Sequence, residues 1–311
     1  MPSAPWRRRR PMTPRPAHLF LRQRPPPTAR LTAGKAVPEL PEVAGLAGFL
    51  DEHLRGAVVR KIQIVSFAVL KTADPPFTAL EECTISGVRR FGKFVSLDTD
   101  GPSFVFHLAR AGWVRFTDSP TGTQLRMGKG YIAARLAFSG PDGAHGMDLT
   151  EAGTKKSLAV YVVRDPQDVP GIAALGPDPF SAAFDADMLA EILGSTSQQI
   201  KGALRSQGVI AGIGNAYSDE ILHAARISPF ATAKSLDRDT VQSLYDAIHS
   251  VLGTALAEAK GKPPSELKEV KRGHRHVHAR NGEACQVCGE TARAVAFADA
   301  SHPVVPALPS A

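Results

Sequence analysis

Between Val43 and Val163 the spacing of apolar residues changes once, and that change limits the folds open to the chain. Val43, Leu46, Phe49, Leu50 and Leu54 recur at helical spacing until Gly56 interrupts them, which predicts one amphipathic helix. From Val58 onward the period is two. Alternating segments at 58–65, 84–88, 91–97, 104–108, 113–116, 135–138 and 159–163, divided by Gly, Pro and Asp turns, predict a β-sandwich led by that helix. The stretch 165–180 is rich in Pro, Gly and Asp and reads as a hinge. Helical spacing then returns at 186–193, 198–206, 217–225 and 237–259. The expectation is an α+β chain of several domains, since 311 residues suffice for two separate cores.

A net charge of +7 points to nucleic acid only if the charge lies in the folded part. It does not. Residues 1–36 hold eight Arg, one Lys and eight Pro with no acidic residue, which leaves 28 basic against 30 acidic residues in the remainder. Such a leader cannot bury apolar surface and is expected to be disordered, outside the fold. The densest later basic run is 260–280, with Lys260, Lys262, Lys268, Lys271, Arg272, Arg275 and Arg280; alone, it reads first as a solvated face. No apolar stretch approaches the roughly 20 residues of a membrane span, and no secretory signal is present. A cytoplasmic protein at the nucleoid is therefore expected, with no membrane partner. Cys83, in strand-like sequence, reads as a small buried side chain.

Pro38-Glu39-Leu40-Pro41-Glu42-Val43 stands directly at the first helix. Proline suits a first helical turn and glutamate suits the positive helix end, which accounts for Pro41 and Glu42 but not for the remainder. The whole hexapeptide, followed by a helix and a sandwich, is similar to the N-terminus of the formamidopyrimidine-DNA glycosylase and endonuclease VIII family. The resemblance runs from Pro38 to about Phe297. It implies a bifunctional glycosylase and abasic-site lyase of base-excision repair, acting as a monomer on damaged double-stranded DNA and abasic sites. It also implies that Pro38 is catalytic, its secondary amine attacking C1′ to form an imine that drives β/δ-elimination. Glu39 is then the expected general acid, and Glu42 a supporting hydrogen-bond partner. In this chain 37 residues precede Pro38, so its nitrogen is an amide and cannot attack. The expectation is that translation starts at Val37 on a GTG codon and that the initiating methionine is removed. A cleaved transit peptide is the rival. A catalytically silent DNA-binding paralogue is the alternative should the leader stay.

Further motifs extend the likeness. Arg89-Arg90-Phe91-Gly92-Lys93-Phe94 resembles the family strand with an essential lysine, which marks Lys93 as a catalytic-site lysine contacting phosphate and lesion. His107-Leu108 matches the strand before a DNA-entering loop, and Arg110 stands where related enzymes carry a void-filling Met; both are expected at the DNA. Gly212-Ile213-Gly214-Asn215 resembles the turn of a helix-two-turn-helix, where a helix N-terminus can meet phosphate. Asn215, with Lys201 on the preceding helix, is expected to bind DNA there. The family's later Arg-Arg-Phe-Gly is absent, so no purine preference is implied. The expected domains are a leader at 1–36, a catalytic sandwich at 37–165, a helix-two-turn-helix domain at 166–262 and a zinc-finger-like tail at 263–311.

The resemblance also implies Zn²⁺ held by four cysteines, of which only Cys285 and Cys288 are present. Spacing of about sixteen residues puts the missing pair at Val305 and Leu308. Codons for Val304 to Pro309, read one base later, can spell Trp-Cys-Pro-Arg-Cys with both cysteines in place. The tail is thus expected to be a degraded, frameshifted finger hairpin. A divergent tail and completion by His302 are the lesser alternatives.

Overall fold

The computed structural model describes residues 37–120, 125–128, 130–152, 156–285, 289–294 and 304–305. The expected leader, Cys288 and Leu308 lie outside these. Helix α1 (Leu40–Leu54) comes first, with Pro41 in its opening turn and the Glu39 N–H donated to Glu42 Oε2 at 2.8 Å. Two four-stranded antiparallel sheets follow. The first orders β1 (Val58–Ile64), β6 (Ile132–Gly140), β7 (Gly143–Glu151) and β5 (Gly112–Thr117). The second orders β2 (Ile85–Phe91), β3 (Phe94–Thr99), β4 (Ser103–His107) and β8 (Ala159–Val163). Leu46, Leu50 and Leu54 of α1 join inward-facing Leu97, Phe106, Leu136, Leu149 and Val160 in one core, the burial that makes the alternating pattern stable as a sandwich.

Within the sandwich and the hinge, the structure departs from the sequence reading at three places. Strand β7 falls in a segment with no predicted strand. The break expected at 89–90 is absent, because β2 runs on to Phe91, which pairs with Phe94. Lys93 therefore sits in a two-residue hairpin turn with Gly92 rather than on a strand. The hinge is also more built than a linker: α2 (Pro170–Ala173) forms there, and Val169 and Ile172 bury against Val105 and Val163.

The helical part comprises α3 (Ala186–Gly194), α4 (Ile200–Arg205), α5 (Asn215–Ala224) and α6 (Arg238–Ala259) around Leu189, Leu204, Ile213, Tyr217, Leu244 and Leu252. Leu40 belongs to this second core, while Val43 and the residues after it belong to the first. The hexapeptide is therefore fixed at the junction of the two cores. The tail expected from 263 onward opens with an unpredicted helix, α7 (Leu267–Gly273), whose Leu267 and Val270 bury in the sandwich core. A two-stranded pair of β9 (Arg293–Ala294) and β10 (Val304–Val305) ends the described chain. Among the described residues, no helix is long and apolar enough to cross a membrane.

Candidate active site

Pro38, Glu39 and Glu42 are all buried at that junction. Burying two carboxylates together costs several kcal/mol each unless they are answered by charge and hydrogen bonds, and here both are answered. The Lys271 ammonium, on α7, donates to Glu39 Oε1 at 2.9 Å, to Glu42 Oε2 at 3.2 Å and to the Val37 carbonyl at 2.6 Å. The Tyr217 hydroxyl donates to Glu42 Oε1 at 2.7 Å. Burial opposes ionisation of Glu39, but Lys271, Lys93 and the Ala216 N–H outweigh it and bring the carboxyl down to about 2. Glu39, expected as a general acid, is thus held ionised and has no proton to give in this state.

Its oxygens have a second task. Glu39 accepts the N–H groups of Gly214 at 2.6 Å, Ala216 at 3.0 Å and Tyr217 at 3.3 Å. These are the open donors at the start of α5, which the sequence reading offered to a DNA phosphate; the structure gives them to a carboxylate of the hexapeptide instead. The glycines of the Gly-x-Gly turn are explained by that approach. Gly212 has φ +89° and Leu40 pressed against it, and a Cβ on Gly214 would lie 2.5 Å from Glu39 Cδ. Gln207 locks the turn by accepting from Gly212 N–H at 2.9 Å and donating to Ile213 O at 2.7 Å. Gly214→Ala should therefore displace the Glu39 carboxylate and lower stability by about 1–3 kcal/mol. Thermal unfolding checks this, and an unchanged Tm would mean that the contact can relax at no cost.

Asn215 begins α5 beside this carboxylate. Lys93 is half-buried in its hairpin turn; burial, opposed by Glu39 and reinforced by Lys271, brings its ammonium down to about 8. His107 ends β4, its ring tilted at 47° against Phe94 with centroids 4.7 Å apart, and its Nδ1 accepts from Ala109 N–H at 3.2 Å. Burial, then Lys93, pushes its imidazole down to about 4, so it is neutral at physiological pH. Arg110 is exposed on the β4–β5 loop, where Ala109 takes φ +51°. Lys201 departs from expectation: the residue is 1% exposed and its ammonium is 2.5 Å from Asp219 Oδ1, so in this state it braces α5 and presents no charge to a phosphate.

Of the two cysteines expected to hold a metal, Cys285 lies within the described residues and Cys288 outside them. Among the described residues no three His, Cys, Asp or Glu side chains gather as ligands. Cys285 is buried with its Sγ 3.2 Å from His223 Nε2, and position 305, where a third thiolate was expected, is Val in β10. These residues do not fit a structural zinc site.

Three site residues escaped the sequence reading. Tyr217 is an ordinary aromatic at core spacing, and Gln207 carries no signal at all. Lys271 was visible only as one charge in the run 260–280. Its signal was present but faint: Leu267 and Val270 at helical spacing place Lys271 next to the buried side of α7.

Two family models match the chain. The formamidopyrimidine-DNA glycosylase N-terminal domain model matches residues 37–154, and the formamidopyrimidine-DNA glycosylase H2TH domain model matches 175–264. Formamidopyrimidine-DNA glycosylases of Symbiobacterium thermophilum and Moorella thermoacetica are 32% and 30% identical, over 84% and 82% of this chain and 86% and 93% of their own. An uncharacterized formamidopyrimidine-DNA glycosylase-like protein of Mycobacterium tuberculosis is 48% identical over 43% of this chain and 83% of its own. The MutM (Fpg) structure of Thermus thermophilus aligns with TM-score 0.71 at 26% identity, covering 86% of this chain and 97% of that one. The Lactococcus lactis enzyme, bound non-covalently to AP-site DNA, aligns with TM-score 0.72 at 22% identity, covering 86% and 97%.

Proposed function

The chain belongs to the formamidopyrimidine-DNA glycosylase family, and from that premise we propose that it is a bifunctional glycosylase and abasic-site lyase acting on damaged duplex DNA. One observation carries this reading: Pro38, Glu39, Glu42 and Lys271 meet in a single buried cluster that also closes the start of α5. Lys93 is close enough to that cluster to share its electrostatics. Relatives solved with AP-site DNA support damaged DNA as the partner. With Pro38 as the N-terminus, its secondary amine attacks C1′ and loses its proton as the base departs; the C1′–O4′ bond then opens with O4′ protonated, and the resulting iminium acts as the electron sink for β/δ-elimination. The ionised Glu39 stabilises that cation, and Glu42 holds Tyr217 and Lys271 in place. Lys93, Asn215, His107 and Arg110 face the DNA strand that carries the lesion. The test is base release from duplexes carrying single oxidised bases, using protein that begins at Pro38. Release from none of a panel of oxidised purines and pyrimidines would leave no glycosylase.

One observation favours a second reading, a catalytically silent DNA-binding paralogue: the Pro38 nitrogen here is an amide whose Val37 carbonyl is engaged by Lys271. It requires that the leader stay attached. The segment beyond residue 280 we propose as an incomplete zinc finger produced by a single-base slip. The purified chain should then hold far less than one zinc per molecule after dialysis against a chelator. Near-stoichiometric zinc, or a gene sequence with no TGC codons in the shifted frame, would refute the slip.

A further inference from the structure

Lys271 comes from α7, outside both regions matched by the family models. Its side chain is 3% exposed, and its three N–H donors are all engaged, by Glu39, by Glu42 and by the Val37 carbonyl. Two of these partners are carboxylates that fix the ammonium. The third belongs to the residue that must be absent before Pro38 can act. The Val37–Pro38 amide shows what that third donor is aimed at. Its carbonyl carbon is bonded to the Pro38 nitrogen, as C1′ is in the covalent intermediate, and the unit is planar with a C–N bond of about 1.33 Å, like an iminium. The Val37 oxygen then marks the place of the oxygen on C1′ when the amine attacks an abasic-site aldehyde.

Resting on the Pro38 reading above, we infer that Lys271 is a catalytic residue that donates a hydrogen bond and then a proton to the oxygen carried by C1′. The Pro38 lone pair forms the N–C1′ bond, and the carbonyl π pair moves onto oxygen as a Lys271 N–H meets it. The amine's own proton passes to that oxygen, giving a carbinolamine. Lys271 then protonates the hydroxyl, the C1′–O bond breaks, water leaves and the nitrogen lone pair closes the iminium. One amine, one aldehyde and one proton thus yield one iminium and one water, and Lys271 regains its proton from solvent. Glu39 is poorly placed to supply that proton, since it is held ionised with its oxygens occupied by the N–H groups of α5.

The test uses protein beginning at Pro38, its Lys271→Arg and Lys271→Ala variants, and two duplexes. One duplex carries an abasic site; the other carries a tetrahydrofuran site, which binds but cannot form an imine. Arginine keeps the charge beside both glutamates but does not release a proton. Lys271→Arg should bind the tetrahydrofuran duplex within about twofold of the parent and unfold at a similar temperature. Its single-turnover rate of borohydride trapping should fall by about 10² or more, the usual scale of general acid catalysis. Lys271→Ala should show the same loss if it folds. Trapping by Lys271→Arg at the parent rate overturns the inference, and so does a loss of trapping matched by an equal loss of tetrahydrofuran binding. Failure of the parent itself to trap counts against Pro38 rather than Lys271.

Discussion

Protein that begins at Pro38 should form a borohydride-stable crosslink to an abasic-site duplex, and the 311-residue chain should form none. The difference is all or none because it depends on one atom. As an internal residue, Pro38 contributes an amide nitrogen whose lone pair is delocalised into the Val37 carbonyl. As the terminus it contributes a secondary amine. Terminal amines have pKa values near 7.7–8.0, so a useful fraction is unprotonated at neutral pH. Steric access changes as well, since Val37 occupies the space beside the nitrogen and its carbonyl is held by Lys271 at 2.6 Å. Pro38→Gly at the terminus keeps an attacking amine and should trap weakly, whereas acetylating the terminal proline should abolish trapping. Equal crosslinking by the long and short forms would remove Pro38 as the nucleophile and direct attention to a lysine.

The outline of the fold was legible because burial in a sandwich imposes a period of two, and α1 and β1 follow their apolar residues to within a few positions. Strand β7 was hidden because Gly143, Gly146 and Asp148 read as turn signals, while its buried Met147 and Leu149 make too short an alternation. The site divides differently. Residues next to the hexapeptide were found by its distinctive sequence, and Glu42 makes the kind of bonds anticipated for it. What sequence could not express is which partner each charge would choose. Glu39 and the start of α5 lie about 175 positions apart in the chain, yet the carboxylate meets those N–H groups directly. The expected phosphate site is therefore occupied by a side chain from the other domain. Lys271 is the extreme case, because its role depends on α7 packing back against α1.

Lys201→Ala should lower stability by about 3–5 kcal/mol, the usual result of leaving one member of a buried ion pair alone. For a domain of this size that is a fall in Tm of roughly 10 °C. The side chains of Lys201 and Asp219 are 1% and 3% exposed, and Asp219 also meets His278 Nδ1 at 2.8 Å, so the carboxylate cannot turn to solvent once Lys201 is gone. Joining α4 to α5, the pair stiffens the helices on either side of the Gly-x-Gly turn. Replacing both partners by apolar residues of similar size, Lys201→Met with Asp219→Leu, should recover much of the loss, because neither charge is then left buried. The salt dependence of DNA binding separates this role from the phosphate contact expected from sequence. A lysine that neutralises a phosphate in the complex removes about one unit of slope when deleted, while a brace leaves the slope as it was. Unfolding curves and salt titrations of the single and double variants together decide the matter: unchanged stability with a flattened slope would return Lys201 to the DNA, since a buried brace cannot be deleted without cost.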